Sequence, residues 1–181
     1  MSNRYRGTTL EGNAVEVEVY KERIFAVEEI AADGALPLIA PPLVDLQHNG
    51  AKHLAFNRVH EAPETLETVA RHALRHGVAR LLATITTQAY EDSLESLRAI
   101  DEQLQADPFL ARCYPGIFFE GNYMSAEYGW RGVHPEQFMR DPSWVQWEEL
   151  YKASGQRIVK FNIDPSRSGA MQTIRAAAAA G

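Results

Sequence analysis

The pattern of apolar and polar positions changes character partway along the chain. Val15, Val17 and Val19 alternate with Glu16 and Glu18, the period-two signature of a strand with one wet face. A Lys21-Glu22 break precedes a second run from Arg23 to Ile30, so the two runs read as a hairpin. Asp33-Gly34 then marks a turn, and a proline-punctuated stretch leads into the strand-like Leu43-Val44-Asp45-Leu46.

From Leu43 onward, strand and helix patterns alternate. Pro63 suits the first turn of a helix whose apolar stripe is Leu66, Val69, Ala70, Ala73 and Leu74. Gly77 ends it, and the short apolar run Val78 to Ile85 follows as a strand. A second helix, with Thr87 as its candidate cap, carries Tyr90, Leu94, Leu97, Ile100 and Leu104. Pro115-Gly116 introduces the strand Ile117-Phe118-Phe119, and a loop rich in glycine and aromatics runs from Gly121 to His134. A helix after Pro142, a strand from Arg157 to Ile163 and a helix from near Ser168 into a run of alanines complete the chain. Apolar strands separated by amphipathic helices mean parallel β/α units, here four strands and four helices. The organisation expected is an N-terminal β segment over 1–36, followed by a β/α domain over 37–181.

Composition narrows the setting. The 181 residues carry 18 basic and 24 acidic groups, a net charge of −6, which disfavours nucleic acid as a partner. No apolar run approaches the roughly 20 residues that span a bilayer, and the N-terminus lacks the apolar core of a secretory signal. The single cysteine, Cys113, forms no internal disulfide, so a reducing cytoplasm is the expected location.

Alternation along the strands then singles out candidate residues. Leu43, Asp45, Gln47 and Asn49 share one face, as do Phe118 and Glu120, and Lys160 and Asn162. Polar groups thus gather at the C-terminal ends of strands, where β/α folds place their chemistry. A carboxylate closing the apolar run Ile117-Phe118-Phe119 needs a partner or a metal if buried. His72 and His76 stand at i, i+4 on a helix and read as part of its exposed face, while His53 and His60 fall in a loop.

These residues carry a family resemblance. Pro41-Pro42-Leu43-Val44-Asp45-Leu46-Gln47-His48-Asn49-Gly50 resembles the PG-[FLI]-ID-x-Q-x-NG signature of N-acetylglucosamine-6-phosphate deacetylases, within the amidohydrolase superfamily. Leu82-Ala83-Thr84-Ile85-Thr86-Thr87 is similar to their LPT-x-x-T segment, Phe119-Glu120-Gly121 to the core of HLEGP, and Gly132-Val133-His134-Pro135 to the G-[AT]-H that follows. The resemblance implies a small β-sandwich beside a (β/α)8 TIM-type barrel, of which this chain carries about four β/α units. It implies a divalent metal, Zn²⁺, with Glu120 as a metal ligand and His134 as the catalytic residue that polarises the amide carbonyl. Gln47 and Asn49 stand where other amidohydrolases have H-x-H, which favours one metal. Asp45, Gln47, Asn49, Gly132, Val133, Lys160 and Asn162 are the pocket candidates. The implied reaction is hydrolysis of an N-acetylated amino-sugar phosphate, by a homodimer in the full-length family.

Departures from the family pattern lie beside the expected pocket. The HLEGP histidine is Phe118 here, its proline is Asn122, and the later APE is Asp164-Pro165-Ser166. Family members continue into strands bearing two further metal-binding histidines and a general acid/base aspartate, so the chain reads as the N-terminal part of a longer enzyme. Two alternatives stand beside the deacetylase: a non-catalytic remnant or interaction module, and an amidohydrolase acting on another cyclic or linear amide.

Overall fold

Alternating valines and glutamates make the first sheet. The computed structural model describes residues 2–31 and 34–180, and the chain divides into two compact units, Met1–Pro42 and Leu43–Gly181. In the first unit, β1 (Asn3–Thr8), β2 (Ala14–Tyr20) and β3 (Arg23–Glu29) form an antiparallel sheet in the order β1-β2-β3. Val15 and Val17 of β2 are buried, while Glu16 and Glu18 face the arginines of β1. Arg4 Nη1 donates to Glu16 Oε1 at 2.8 Å and Arg6 Nε to Glu16 Oε2 at 2.9 Å. The Arg6 hydrogen bond, with Arg4 beside it, holds the Glu16 carboxyl below its usual range. Lys21 and Glu22 both take positive φ, 48° and 60°, the geometry of a two-residue turn between twisted strands. The sequence pattern had not singled out β1, whose polar residues acquire their meaning only opposite Glu16 and Glu18. Of the expected turn at Asp33-Gly34, Asp33 lies outside the described residues.

The second unit is the β/α domain. Its sheet has the order β4-β7-β8-β9, all parallel: β4 (Leu43–His48), β7 (Val78–Ile85), β8 (Gly116–Phe119) and β9 (Ile158–Phe161). A two-residue-strand hairpin, β5 (Gly50–Ala51) with β6 (Leu54–Ala55), follows β4. The helices are α1 (Thr65–Leu74), α2 (Tyr90–Ala106), α3 (Pro108–Cys113), α4 (Trp144–Ala153) and α5 (Ala170–Ala180). Leu81, Ala83 and Ile85 of β7, Ile117 and Phe119 of β8 and Ile158 of β9 form one core with the helices. Against them pack Leu66, Val69, Ala70 and Ala73 of α1, Leu94, Leu97, Ile100 and Leu104 of α2, and Trp147 and Leu150 of α4. Leu82, Thr84 and Phe118 alternate with these and are buried too, so β7 and β8 are covered on both sides as central parallel strands are.

Three expectations need correction. Thr87 does not cap α2: the cap position is Ala89, with no side-chain hydrogen bond, and the Thr87 hydroxyl is committed elsewhere. A fifth helix, α3, was not anticipated; Asp107 caps it by accepting from the Phe109 N–H at 2.7 Å, and Pro108 fills its first turn. Leu74, counted in the α1 stripe, is exposed, while Ala73 beside it is buried in the core. The first compact unit ends at Pro42. Among the described residues no helix is long and apolar enough to cross a membrane.

Candidate active site

The C-terminal ends of β4, β7 and β8 meet at a small polar cluster. Glu120 is the first residue beyond β8, and its N–H donates to the Ile85 carbonyl at 2.9 Å, which extends the β7–β8 ladder by one rung. Its side chain is 13% exposed, and Oε1 accepts from Gln47 Nε2 at 2.9 Å, across 73 positions of sequence. His134 Nε2 lies 4.0 Å from the same oxygen, with its imidazole 12% exposed. That distance is too long for a hydrogen bond, so both groups remain available to a third. On the other side of the ring, His134 Nδ1 is 2.9 Å from Thr87 Oγ1. If the Thr87 hydroxyl donates to Nδ1, the neutral ring carries its proton on Nε2, facing Glu120; if Nδ1–H donates to Thr87 instead, Nε2 is bare.

Local sequence explains why Thr87 is available. Asn57 clamps the segment after β7: its Nδ2 donates to the Thr86 carbonyl and its Oδ1 accepts from the Thr86 N–H, both at 3.0 Å. Gly121 permits the close passage of the β8 end, since a Cβ there would lie 3.3 Å from Thr87 Cα. Asn122 then donates its N–H to Thr87 Oγ1 at 3.2 Å and adopts a positive φ of 45°. Proline, which the resembled motif has here, supplies neither: it has no N–H and its φ is fixed near −65°. Asn122 is almost wholly buried, and its Nδ2 donates to the carbonyls of Gln88 at 2.9 Å and Phe138 at 2.8 Å. Burial and these bonds hold a backbone conformation that asparagine tolerates better than most residues.

The remaining candidates are placed as follows. Asp45 is half-buried, and its Oδ1 accepts from the Gln47 N–H at 2.9 Å, a local turn that aims Gln47. Here the β4–β7 register slips between Asp45 and His48, so strict alternation along β4 does not hold. His48 packs edge-on to Phe56 of the core, at 6.0 Å between centroids. Asn49 is exposed and makes no side-chain hydrogen bond among the described residues. Gly132, at a φ of 58°, and the 98%-exposed Val133 occupy the middle of a turn closed by His134 N–H donating to the Arg131 carbonyl at 3.1 Å. Their effect is to bring His134 back over the strand ends. Lys160 pairs in register with Phe118, its Nζ 3.8 Å from the centre of the ring, so the buried Phe118 is a packing residue. Asn162 donates its N–H to the Phe119 carbonyl at 3.1 Å.

Thr87 was visible in the sequence as a candidate cap and as the end of the LPT-x-x-T-like segment, and Asn122 as a departure from a motif. None of these signals pointed to contact with His134. Of the other histidines, the His72 and His76 rings lie 4.5 Å apart at a tilt of 54°, His76 Nδ1 contacts the His72 carbonyl at 2.8 Å, and His60 Nδ1 contacts Ser96 Oγ at 2.9 Å.

The chain is 27% identical over 139 residues to the N-acetylgalactosamine-6-phosphate deacetylase of Escherichia coli O157:H7. That match takes in 76% of this chain and 35% of the curated relative. Among solved structures, a variant N-acetyl-D-glucosamine-6-phosphate deacetylase of Mycobacterium smegmatis, in complex with N-acetyl-D-glucosamine-6-phosphate, superposes with a TM-score of 0.81 at 23% identity. It matches 99% of this chain and 48% of its own. Both comparisons lead to amino-sugar 6-phosphate deacetylases. The N-acetylglucosamine-6-phosphate deacetylase of Thermotoga maritima agrees, with a TM-score of 0.75 at 20% identity, over 98% of this chain and 46% of its own. No family model matches the chain. The resemblance read from the motifs is thus borne out, as is a parallel α/β fold that is part of a barrel with a β-sandwich. The chain spans about a third of the curated relative and about half of the solved ones.

A metal site tests the residues further. Among the described residues no three His, Cys, Asp or Glu side chains are grouped to hold an ion. A catalytic zinc takes three protein ligands, and Glu120 with His134 makes two candidate donors. These residues alone do not fit a divalent ion.

Proposed function

We propose that these residues form the first half of the active site of an amidohydrolase that deacetylates an N-acetylated amino-sugar 6-phosphate. The activity is assigned to the full set of β/α units that the relatives have. One observation supports it above the rest: Gln47, Thr87, Glu120 and His134, each from a different resembled motif, form one chain of contacts at the strand ends.

In this reading His134 donates its Nε2–H to the acetamide carbonyl, and the bond strengthens as negative charge develops on that oxygen. Thr87 keeps the proton on Nε2. Gln47 satisfies one lone pair of Glu120 and fixes its rotamer. Glu120 is one ligand of a divalent metal in this reading, as the resemblance implies. A soluble, cytoplasmic homodimer is the assembly that goes with it.

The test is acetate release from N-acetylglucosamine 6-phosphate and its galacto isomer. It is measured on this chain alone and on the chain joined to the remaining β/α units of the E. coli relative. The joined protein should turn over one of the two, and His134→Ala should lower kcat on the order of 10²–10³-fold with little change in KM. A cooperatively folded joined protein that releases no acetate would favour the non-catalytic reading.

A further inference from the structure

Between the loop after β8 and the loop after β9 lies an open cleft of about 590 Å³, within the size range of small-molecule sites. Met124, Phe161 and Ile163 give it apolar surface. Trp130 stands in its lining yet is 78% exposed, a large aromatic face with no covering among the described residues. The floor is tied to the end of β8. Asn162 N–H donates to the Phe119 carbonyl at 3.1 Å, and Asp164 N–H to the Tyr123 carbonyl at 2.9 Å. The cleft therefore adjoins the strand end from which Glu120 follows.

Its charge is one-sided. Glu127 and Asp164 are the ionisable residues of the lining, and no cation is among them. Asp164 Oδ1 accepts from the Ser166 hydroxyl at 2.7 Å and the Ser166 N–H at 2.9 Å, which keep its carboxyl below the ordinary range. Arg167, next in sequence, is committed to Asp141 Oδ1 at 3.0 Å and to the Met124 carbonyl at 2.9 Å. A phosphate placed here meets two negative charges and no free guanidinium from this lining. A sugar ring meets what it needs: an indole for its C–H face, and carboxylate oxygens to accept from its hydroxyls.

We propose that this cleft binds an uncharged sugar ring stacked on Trp130, with hydroxyls donating to Glu127 and Asp164, as a site beside the one that takes the phosphorylated ring. The amino-sugar identity of that ring rests on the deacetylase reading. The preference for a neutral ring rests on the lining itself.

Binding is read on the 181-residue chain from the indole Nε1–H signals of its three tryptophans, with Trp130 assigned by Trp130→Ala. The probes are N-acetylglucosamine, its β-1,4-linked dimer and N-acetylglucosamine 6-phosphate. The neutral sugars should shift the Trp130 signal saturably, and the 6-phosphate should bind more weakly. By isothermal titration calorimetry, which needs no indole, Trp130→Phe should retain binding, while Trp130→Ala, Glu127→Gln and Asp164→Asn should each weaken it roughly two- to tenfold. Three results would overturn the proposal: preference for the 6-phosphate, no saturable shift, or shifts confined to the indoles of Trp144 and Trp147. Acetate release is not measured, so failure of the deacetylase reading leaves this result standing, and the reverse also holds.

Discussion

Strands β8 and β4 both end at the polar cluster, but they hold their residues there by different means. All four residues of β8 are buried between neighbours on both sides, and Glu120 continues the ladder beyond them. On β4, Leu43, Val44 and Leu46 are exposed, the register slips, and Gln47 is aimed by a turn made with Asp45. The buried strand fixes a side chain by position alone. The edge strand needs a local hydrogen bond to do so, and its residue reaches the site as a partner of one already fixed.

Phe119→Ala and Val44→Ala put the contrast to the test most strongly. Emptying the fully buried Phe119 site should cost about 3–5 kcal/mol in urea unfolding, whereas Val44→Ala should stay within about 1 kcal/mol. Comparable losses at the two positions would end the distinction.

Asn122 sharpens it at a single residue. Asn122→Pro removes the N–H to Thr87 and forbids the φ of 45°, at a cost of about 3 kcal/mol or more. Asn122→Gly keeps the backbone and loses only the side-chain bonds, so it should cost about 1–2 kcal/mol. Equal losses would mean that the side chain, not the backbone, holds the turn.

Tyr123 reports the same buried region through pH. Burial pushes its hydroxyl up to about 12, above the usual value of 10.0. Because the folded value is raised, its contribution to stability is full below pH 10 and is lost as pH rises through 12. Tyrosinate absorbance should therefore show this group ionising late, together with unfolding. Ionisation near pH 10 without loss of structure would contradict its burial. The smallest effect is expected at the edge: Gln47→Leu should change stability by less than about 1 kcal/mol, checked by the same urea unfolding.

How much of this was legible in the sequence follows the same division. The apolar runs of β7 and β8 and the stripe of α2 declare themselves because burial on both sides, or along one helix face, leaves a periodic record. Strand β1 left no such record, since Arg4 and Arg6 take their places from Glu16 and Glu18 across the sheet. The slip in β4 depends on its pairing with β7, which no local pattern encodes. Glu120 was marked by its position after Ile117-Phe118-Phe119, and His134 by the resemblance. Their meeting with Thr87 depends on a loop closed by Gly132 and Asn122. A threonine before a helix reads as a cap until that loop is folded over it.

The central claim is that Thr87 fixes the proton of His134 on Nε2, towards Glu120. Nitrogen-15 spectra of the imidazole, recorded with the ring neutral, test it directly. The account predicts a protonated Nε2 and an unprotonated Nδ1 in the native chain and in Thr87→Ser, with a mixed population in Thr87→Val. A protonated Nδ1 in the native chain, unchanged by Thr87→Val, would contradict it.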